Sequence, residues 1–513
     1  MDDTVSKLQS AYDSASYPFW FYPQTQLDRI AAIAMLAGVA PPDLEKSRVL
    51  EIGCGCGGNL LPMAEQFPQS QFLGIDLSPR QIEWGKSFLG EIGLDNIELR
   101  CQDMLEFPRD AGKFDFIIAH GVYSWVPLTV REKLLAICRD HLSPDGLAFV
   151  SFNTYPGWRL KEPARELMLY HNREGGDAAH IVARSRQIVQ MMAELTPEKD
   201  CYREMLRFNH EFLQRFVDNY LLHDHLETVN EPCYFWQFAK AMKAHGLSYV
   251  GDSNMDYDSW IRLSPAAREA VFKMTSDPLD QEQYLDFLVG QAFRCAVLRL
   301  DNSKTAANPA VDLLGQIYVA GNFSEEPANP DPQGNPVFKF KAGKQQLLIS
   351  DHRALALLRR IRGAWPMPVP FSDLLETYRA QLKPPIDERQ LSKDLDLVMR
   401  FYFSYRMIEV MTRPSSVIAA SPGEFPRVSR YARWAAARKL TIPTLRLTAP
   451  NMDDPLRELI PWLDGTRDRK AIAEQIIRSG SEAWPHKNRE ELDALIEIAL
   501  GKLAEMQFLM KPT

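Results

Sequence analysis

The chain has 513 residues, 45% hydrophobic and 25% charged, the proportions of a folded multidomain protein and not of a disordered or fibrous one. Lys+Arg number 59 against Asp+Glu 67, a formal net charge of −8, which excludes a chain-wide basic surface for nucleic acid or anionic membrane and leaves only local contacts of that kind. Seven cysteines without a CxxC pair give neither a disulfide framework nor a zinc ribbon. With the acidic start Met1-Asp2-Asp3 and no apolar run of about 18 residues, they predict a cytoplasmic protein with no membrane insertion.

Strand and helix signals alternate from Arg48 onward. Arg48-Val49-Leu50-Glu51-Ile52 is a strand signal that runs straight into Gly53-Cys54-Gly55-Cys56-Gly57-Gly58 and then a helix over 59–67. A second strand over 71–75 ends on Asp76, and Ser78-Pro79 supplies an N-cap and an N1 proline for a helix toward Leu89. The third strand, 97–101, ends near Asp103; strands over 114–119 and 147–152 follow, with a helix over about 129–141 between them. Alternation of this kind predicts a parallel, doubly wound sheet. From about 161 to 226 the pattern is helical throughout, an inserted subdomain and the predicted dimer interface. A helix over 239–246, a sixth strand over 247–251 and a candidate seventh over 292–299 close the sheet domain near residue 300.

Pro327, Pro330, Pro332 and Pro336, with Gly334, predict a linker. Beyond it the pattern helix, helix, helix, apolar strand occurs twice, over 355–411 and 456–510, as in two winged-helix-like modules. The expected division is a core over 1–160, a helical insertion over 161–230, the end of the fold over 231–300, a linker with short strands over 301–345, and α+β winged-helix-like modules over 346–415 and 424–513.

Gly53, Gly55 and Gly58 satisfy GxGxxG, which by itself also admits a nicotinamide or flavin nucleotide. The run Glu51-x-Gly53-x-Gly55-x-Gly57, with an acid two positions before the first glycine, resembles the class I S-adenosylmethionine methyltransferases. The resemblance implies a seven-stranded Rossmann-like domain that binds S-adenosyl-L-methionine. That cofactor has no pyrophosphate, so the glycines bring backbone close to the adenosine and methionine moieties, and Glu51 can hold the amino end. Asp76, followed by Leu77, is placed to accept both ribose hydroxyls. Asp103, with Met104 beside it, stands where family members contact the adenine amino group.

Further motifs narrow the resemblance. Tyr12-Asp13 with Tyr17-Pro18, the stretch Ile118-Ala119-His120-Gly121-Val122-Tyr123-Ser124-Trp125-Val126-Pro127, and Asn153-Thr154-Tyr155-Pro156-Gly157-Trp158 look like the bacterial family carrying a methyltransferase regulatory domain. His223-Asp224-His225-Leu226-Glu227, Asn230-Glu231-Pro232 and Tyr234-Phe235 are similar to that regulatory domain itself. Its longer members include the rickettsial-type protein-lysine methyltransferases. They imply a protein substrate, outer-membrane proteins among them, and a homodimer. A small-molecule methyltransferase and a non-catalytic cofactor-sensing or DNA-binding protein are the alternatives.

Methyl transfer is an in-line displacement at a sulfonium, and its main demand is a desolvated nucleophile held about 3 Å from the methyl group. The residues after the fourth and fifth strands occupy the sheet's carboxyl end, where ligands bind in such folds. Tyr123, Trp125, Asn153 and Tyr155 offer the aromatic faces and oxygens that suit an amine acceptor, and are the expected substrate residues. His120 reads either as a cofactor-loop residue or as a general base, and Tyr17 begins an aromatic stretch that either caps the cofactor or staples onto the sheet domain. His223-x-His225 has the wrong helical spacing to chelate one ion, so no metal is expected. Arg427, Arg430, Arg433, Arg438, Lys439 and Arg446 form a basic stretch, read as a docking surface for a protein or peptide substrate or as a solvated helix face. Leu463-Asp464-Gly465-Thr466-Arg467-Asp468 is similar to the peptide-recognition winged helices of peptide-modifying enzymes, and nucleic acid is not expected as a partner.

Overall fold

The computed structural model describes residues 20–511 apart from 216–217, 228, 254–262, 302–314, 331–335, 344, 383–390, 392–406, 414–416 and 487. Strands β1 (Arg48–Ile52), β2 (Gln71–Asp76), β3 (Ile97–Cys101), β4 (Phe114–Ala119), β5 (Leu142–Tyr155), β7 (Leu247–Asp252) and β8 (Phe293–Leu300) form one sheet in the order β3-β2-β1-β4-β5-β8-β7, and the short β6 (Cys233–Tyr234) pairs with β5 off this path. The first five run parallel, and β8 is antiparallel to both β5 and β7. The expected seventh strand is therefore present, inserted between the fifth and sixth. Four of the five residues of β1 and six of the eight of β8 are buried, as a sheet covered on both faces requires.

Helix α1 (Leu27–Leu36) precedes the sheet, and α2 (Leu60–Gln66) leaves the glycine loop. In α3 (Pro79–Ile92) the Ser78 side chain accepts from the Gln81 N–H, Pro79 occupies the first turn, and Gly93 at φ +76 ends the helix, three residues beyond the sequence reading. Helix α4 (Leu128–His141) joins β4 to β5. The insertion comprises α5 (Glu162–His171), α6 (Ala178–Leu195), α7 (Cys201–Leu213) and α8 (Asp218–His225) around a small core of its own, with Met168, Val189 and Leu221 at its centre. Helices α9 (Phe235–Ala244), α10 (Pro265–Met274) and α11 (Pro278–Val289) flank the last two strands of the sheet.

The proline-rich stretch does not separate domains. It joins β10 (Ser324–Glu326) to β11 (Phe338–Ala342), which pair antiparallel, Glu325 opposite Phe340. β11 pairs in turn with β12 (Gln345–Ile349), and β9 (Tyr318–Ala320) pairs with both β13 (Val369–Pro370) and β14 (Glu409–Met411). Helices α12 (His352–Ala364) and α13 (Phe371–Arg379) belong to this module; most of its expected third helix lies outside the described residues. The last module holds α14 (Arg430–Ala437), α15 (Asp454–Leu459), α16 (Arg469–Ser479) and α17 (Arg489–Glu505), with β15 (Arg427–Val428) paired to β16 (Leu509–Met510).

These modules pack against the back of the sheet domain through a continuous apolar core, and polar contacts fix their position. Asp28 accepts from the N–H and hydroxyl of Thr412 at 2.6 and 2.5 Å. Arg430 donates to the Gly93 carbonyl at 2.6 Å, the Trp434 indole and Arg438 both donate to Glu91, and Phe88 meets Trp434 with ring centroids 4.6 Å apart. Arg446 is buried, bonded to Glu409 at 3.2 Å and to the Pro366 carbonyl at 3.3 Å. Arg430, Arg438 and Arg446 all bond within the chain; Arg446 is buried, while Arg430 and Arg438 keep side chains 45% and 40% exposed. They are intramolecular clamps.

Candidate active site

A cavity of about 180 Å³ opens at the carboxyl ends of the central strands, on the glycine loop. Gly53 takes φ +74, and a Cβ there would stand 2.6 Å from Val122 Cγ2, so only glycine lets the loop turn this close to the β4 loop. The Gly53 and Cys54 N–H groups both donate to the Ile75 carbonyl, at 2.8 and 3.1 Å, which ties the loop to β2. Gly53, Gly55 and Gly58 line the cavity. Gly57, an expected cofactor contact, faces away: its missing Cβ would lie 3.2 Å from the Leu99 methyl groups, and its role is close packing on β3.

The expected acids converge. Asp76 lines the cavity and accepts from the Gly55 N–H at 2.8 Å and the Ser78 N–H at 2.9 Å, so loop and helix start fix its carboxylate. Leu77, Asp103 and Met104 line the same wall. Asp103 caps the turn after β3 by accepting from the Leu105 N–H at 2.9 Å. Glu51 is buried; its Oε1 accepts from Asn59 at 2.7 Å, and its Oε2 has no hydrogen-bond partner. Burial pushes its pKa up to about 8, against the bond from Asn59. A buried carboxyl oxygen facing a cavity without a donor is what a cationic ligand group would satisfy, and the donor set fits an amino-acid moiety with an adenosine.

His120 lines the cavity, stacked on Tyr22 with centroids 3.7 Å apart. Its Nε2 lies 3.0 Å from the Gln24 side-chain amide, and its Nδ1 is buried without a partner. Burial lowers the imidazole pKa to about 3. The ring is therefore held in its neutral form.

The four expected substrate residues separate. Trp125 lines the cavity and meets Trp158 edge to face at 6.4 Å. Tyr123 does not line it: the ring is buried against Phe238 at 5.2 Å and under Arg131 at 5.3 Å, an apolar-core position. Asn153 is buried behind the wall, its amide donating to Asn230 at 3.0 Å and its backbone N–H to the Ser124 hydroxyl at 2.8 Å. Tyr155 stands half-buried at the end of β5, its hydroxyl donating to Glu162. Tyr12 and Tyr17 lie outside the described residues. The aromatic stretch after Tyr17 divides: Trp20 and Tyr22 line the cavity, and Phe21 is core.

Sequence reasoning missed Asn59, Gln24 and Gln81. Gln81, in the first turn of α3, lines the cavity with both side-chain amide atoms buried and unpartnered. The only signal was its place three residues after the Ser78 cap. His225 is buried in the insertion, stacked on Trp158 at 5.8 Å, and burial lowers its pKa to about 3. The His223 side chain is outside the described residues. Among the described residues no three His, Cys, Asp or Glu side chains gather as a metal site, and no helix is long and apolar enough to cross a membrane. The regulatory segment docks directly onto the cavity loop, with the Glu231 N–H donating to the Ser124 carbonyl at 2.9 Å and its carboxylate on Arg131 at 2.9 Å.

Three family models match: a methyltransferase domain over residues 49–146, a predicted methyltransferase regulatory domain over 217–299, and the PKMT C-terminal winged helix domain over 424–508. The Rickettsia prowazekii protein RP028 is 37% identical over 235 residues, 45% of this chain and 94% of its own length. The chain belongs to the methyltransferase family that carries this regulatory domain. A second R. prowazekii protein, RP789, is 29% identical over 499 residues, 93% of this chain and 89% of its own. The solved structure of PKMT2 from Rickettsia typhi superposes with a TM-score of 0.82 at 26% identity, covering 96% of this chain and all of that one. PKMT2 in complex with AdoHcy matches at 0.81 over 96% of this chain and 99% of that one. The protein is an S-adenosylmethionine-dependent methyltransferase of Rossmann-like fold with a C-terminal winged helix.

Proposed function

We propose that this methyltransferase modifies lysine side chains of protein substrates, outer-membrane proteins among them, as a cytoplasmic homodimer. The observation that carries the reading is the similarity to PKMT2, which runs through the insertion and the C-terminal modules and is not confined to the cofactor fold. The absence of any disulfide among the seven cysteines suits a reducing compartment. Met191, Leu195, Tyr202 and Phe208 expose apolar side chains on α6 and α7, the surface we assign to the partner subunit.

The bound cofactor supplies an electrophilic methyl on a sulfonium. Glu51 would accept from its ammonium, Asp76 from its ribose hydroxyls and Asp103 from the adenine edge, while Gln81 would add an amide on the same wall. Trp20, Tyr22, His120 and Trp125 enclose the site, exclude water and present aromatic faces to positive charge. A lysine acceptor has an ordinary pKa near 10.4, and desolvation on the approach to the methyl group favours its neutral, nucleophilic form.

The test is incubation of the enzyme with tritiated S-adenosylmethionine and fractionated cell lysate. Label in protein bands that yields methyl-lysine on hydrolysis supports the reading; label confined to small molecules replaces it.

A further inference from the structure

Beside the cavity, at the turn between β5 and α5, charged and aromatic side chains form a cluster with no part in the cores. The Tyr155 hydroxyl donates to Glu162 Oε1 at 2.5 Å, and the Arg159 guanidinium donates to Glu162 Oε2 at 3.0 Å. The Arg159 Cζ lies 3.8 Å from the centre of the Tyr155 ring. Tyr234 closes another side, its ring 5.2 Å from that of Tyr155. None of these four side chains lines the cavity; Trp158, the residue before Arg159, links their turn to it by packing edge to face on the cavity-lining Trp125.

A carboxylate, two aromatic rings and a hydroxyl around one point are the elements that recognise a cation. The cation in place is itself replaceable. The Arg159 side chain is 56% exposed against 22% for Glu162, and solvent weakens such a pair, leaving the stack on Tyr155 as its other hold. Glu162 keeps its Tyr155 bond if Arg159 swings away. A second cation could take the vacated position without leaving the carboxylate uncompensated.

We propose that Tyr155, Glu162 and Tyr234 form a subsite for a positively charged side chain of the protein substrate, and that Arg159 fills it in the free enzyme as an internal mimic which the substrate displaces. The inference rests on the reading of a protein substrate. It adds a specificity element and a competing self-contact.

The experiment measures binding of a blocked lysine pentapeptide, by calorimetry, to the full chain saturated with S-adenosylhomocysteine. Arg159→Ala should tighten peptide binding about three- to tenfold and Glu162→Gln should weaken it about tenfold or more, with Glu162→Asp recovering part of the loss. Affinity for S-adenosylhomocysteine should be the same in all variants, which shows that the fold is intact. In transfer assays on a labelled protein band the same changes should appear in KM and not in kcat. Unchanged or weaker peptide binding by Arg159→Ala, or an indifferent Glu162→Gln, overturns the subsite. Failure of the wild type to label any protein overturns the reading beneath it, and the peptide ratios still decide the subsite.

Discussion

Glu65, in the last turn of the helix that leaves the cofactor loop, accepts the backbone N–H of Arg430 at 2.6 Å and that of Tyr431 at 2.9 Å. A side chain of the methyltransferase domain thus helps cap a helix of the C-terminal module, beside that helix's own cap at Ser429. Glu65→Ala should remove a buried, charge-assisted pair of bonds, costing about 2 kcal/mol. The expected readout is a thermal midpoint lower by several degrees with unchanged KM for substrate. An effect of Arg430→Glu on KM alone, with no loss of stability, would support a docking role for the basic stretch.

Cofactor affinity should depend on pH through Glu51. Burial holds its folded pKa at about 8, so the ligand-free enzyme carries it protonated at neutral pH, and an ammonium partner requires the carboxylate. Binding of S-adenosylhomocysteine should therefore strengthen between pH 6 and 8, approaching tenfold per unit, and level off above. Stability of the ligand-free protein has the opposite sign. An acid with a raised folded pKa contributes fully below its unfolded value and loses that contribution as pH rises toward 8. Titration calorimetry of Glu51→Gln across this range should give a flat profile; a profile as steep as wild type would assign the proton elsewhere.

His120→Phe preserves the stack on Tyr22 and should keep turnover within about tenfold, whereas loss of a true general base costs about 100- to 10,000-fold. With its pKa lowered to about 3, the imidazole also gives no inflection in the rate between pH 5 and 9. Steady-state kinetics across that window check both statements.

Gln81→Leu should raise the dissociation constant for S-adenosylhomocysteine about tenfold and leave the ligand-free thermal midpoint equal or higher. Two buried amide atoms without partners are a cost that an apolar side chain of similar size removes. A lower midpoint would mean that the amide serves the fold and not the ligand.

The strand–glycine-loop–helix start, the three acids and the seventh strand were legible because each is a local pattern: period, cap or spacing. Tyr123 was not, because a loop aromatic carries no sign of which side its ring will take; α9, more than a hundred residues away, supplies Phe238 to bury it. The intramolecular bonds of the basic stretch were hidden for the same reason. Its partners Glu65 and Glu91 are more than three hundred residues upstream, and a run of arginines looks the same whether it faces solvent or distant carboxylates. The prolines between β10 and β11 carry the composition of a linker, although the flanking strands pair across them.

Asn59 bonds Glu51 through its amide nitrogen, and its oxygen accepts from the Tyr22 N–H and the Thr25 hydroxyl, both at 3.0 Å. One amide is therefore shared between the acid that meets the donor molecule and the segment that forms the cavity's outer wall. A ligand that draws Glu51 into its ionised form strengthens the pull on Asn59 and, through it, on Tyr22 and its stacked neighbour His120. The wall, already bonded in this way, is then held more firmly once the donor has arrived, and the surface that an acceptor meets is strengthened by that arrival. Two-substrate kinetics should accordingly be ordered, donor first, and the demethylated product should leave last.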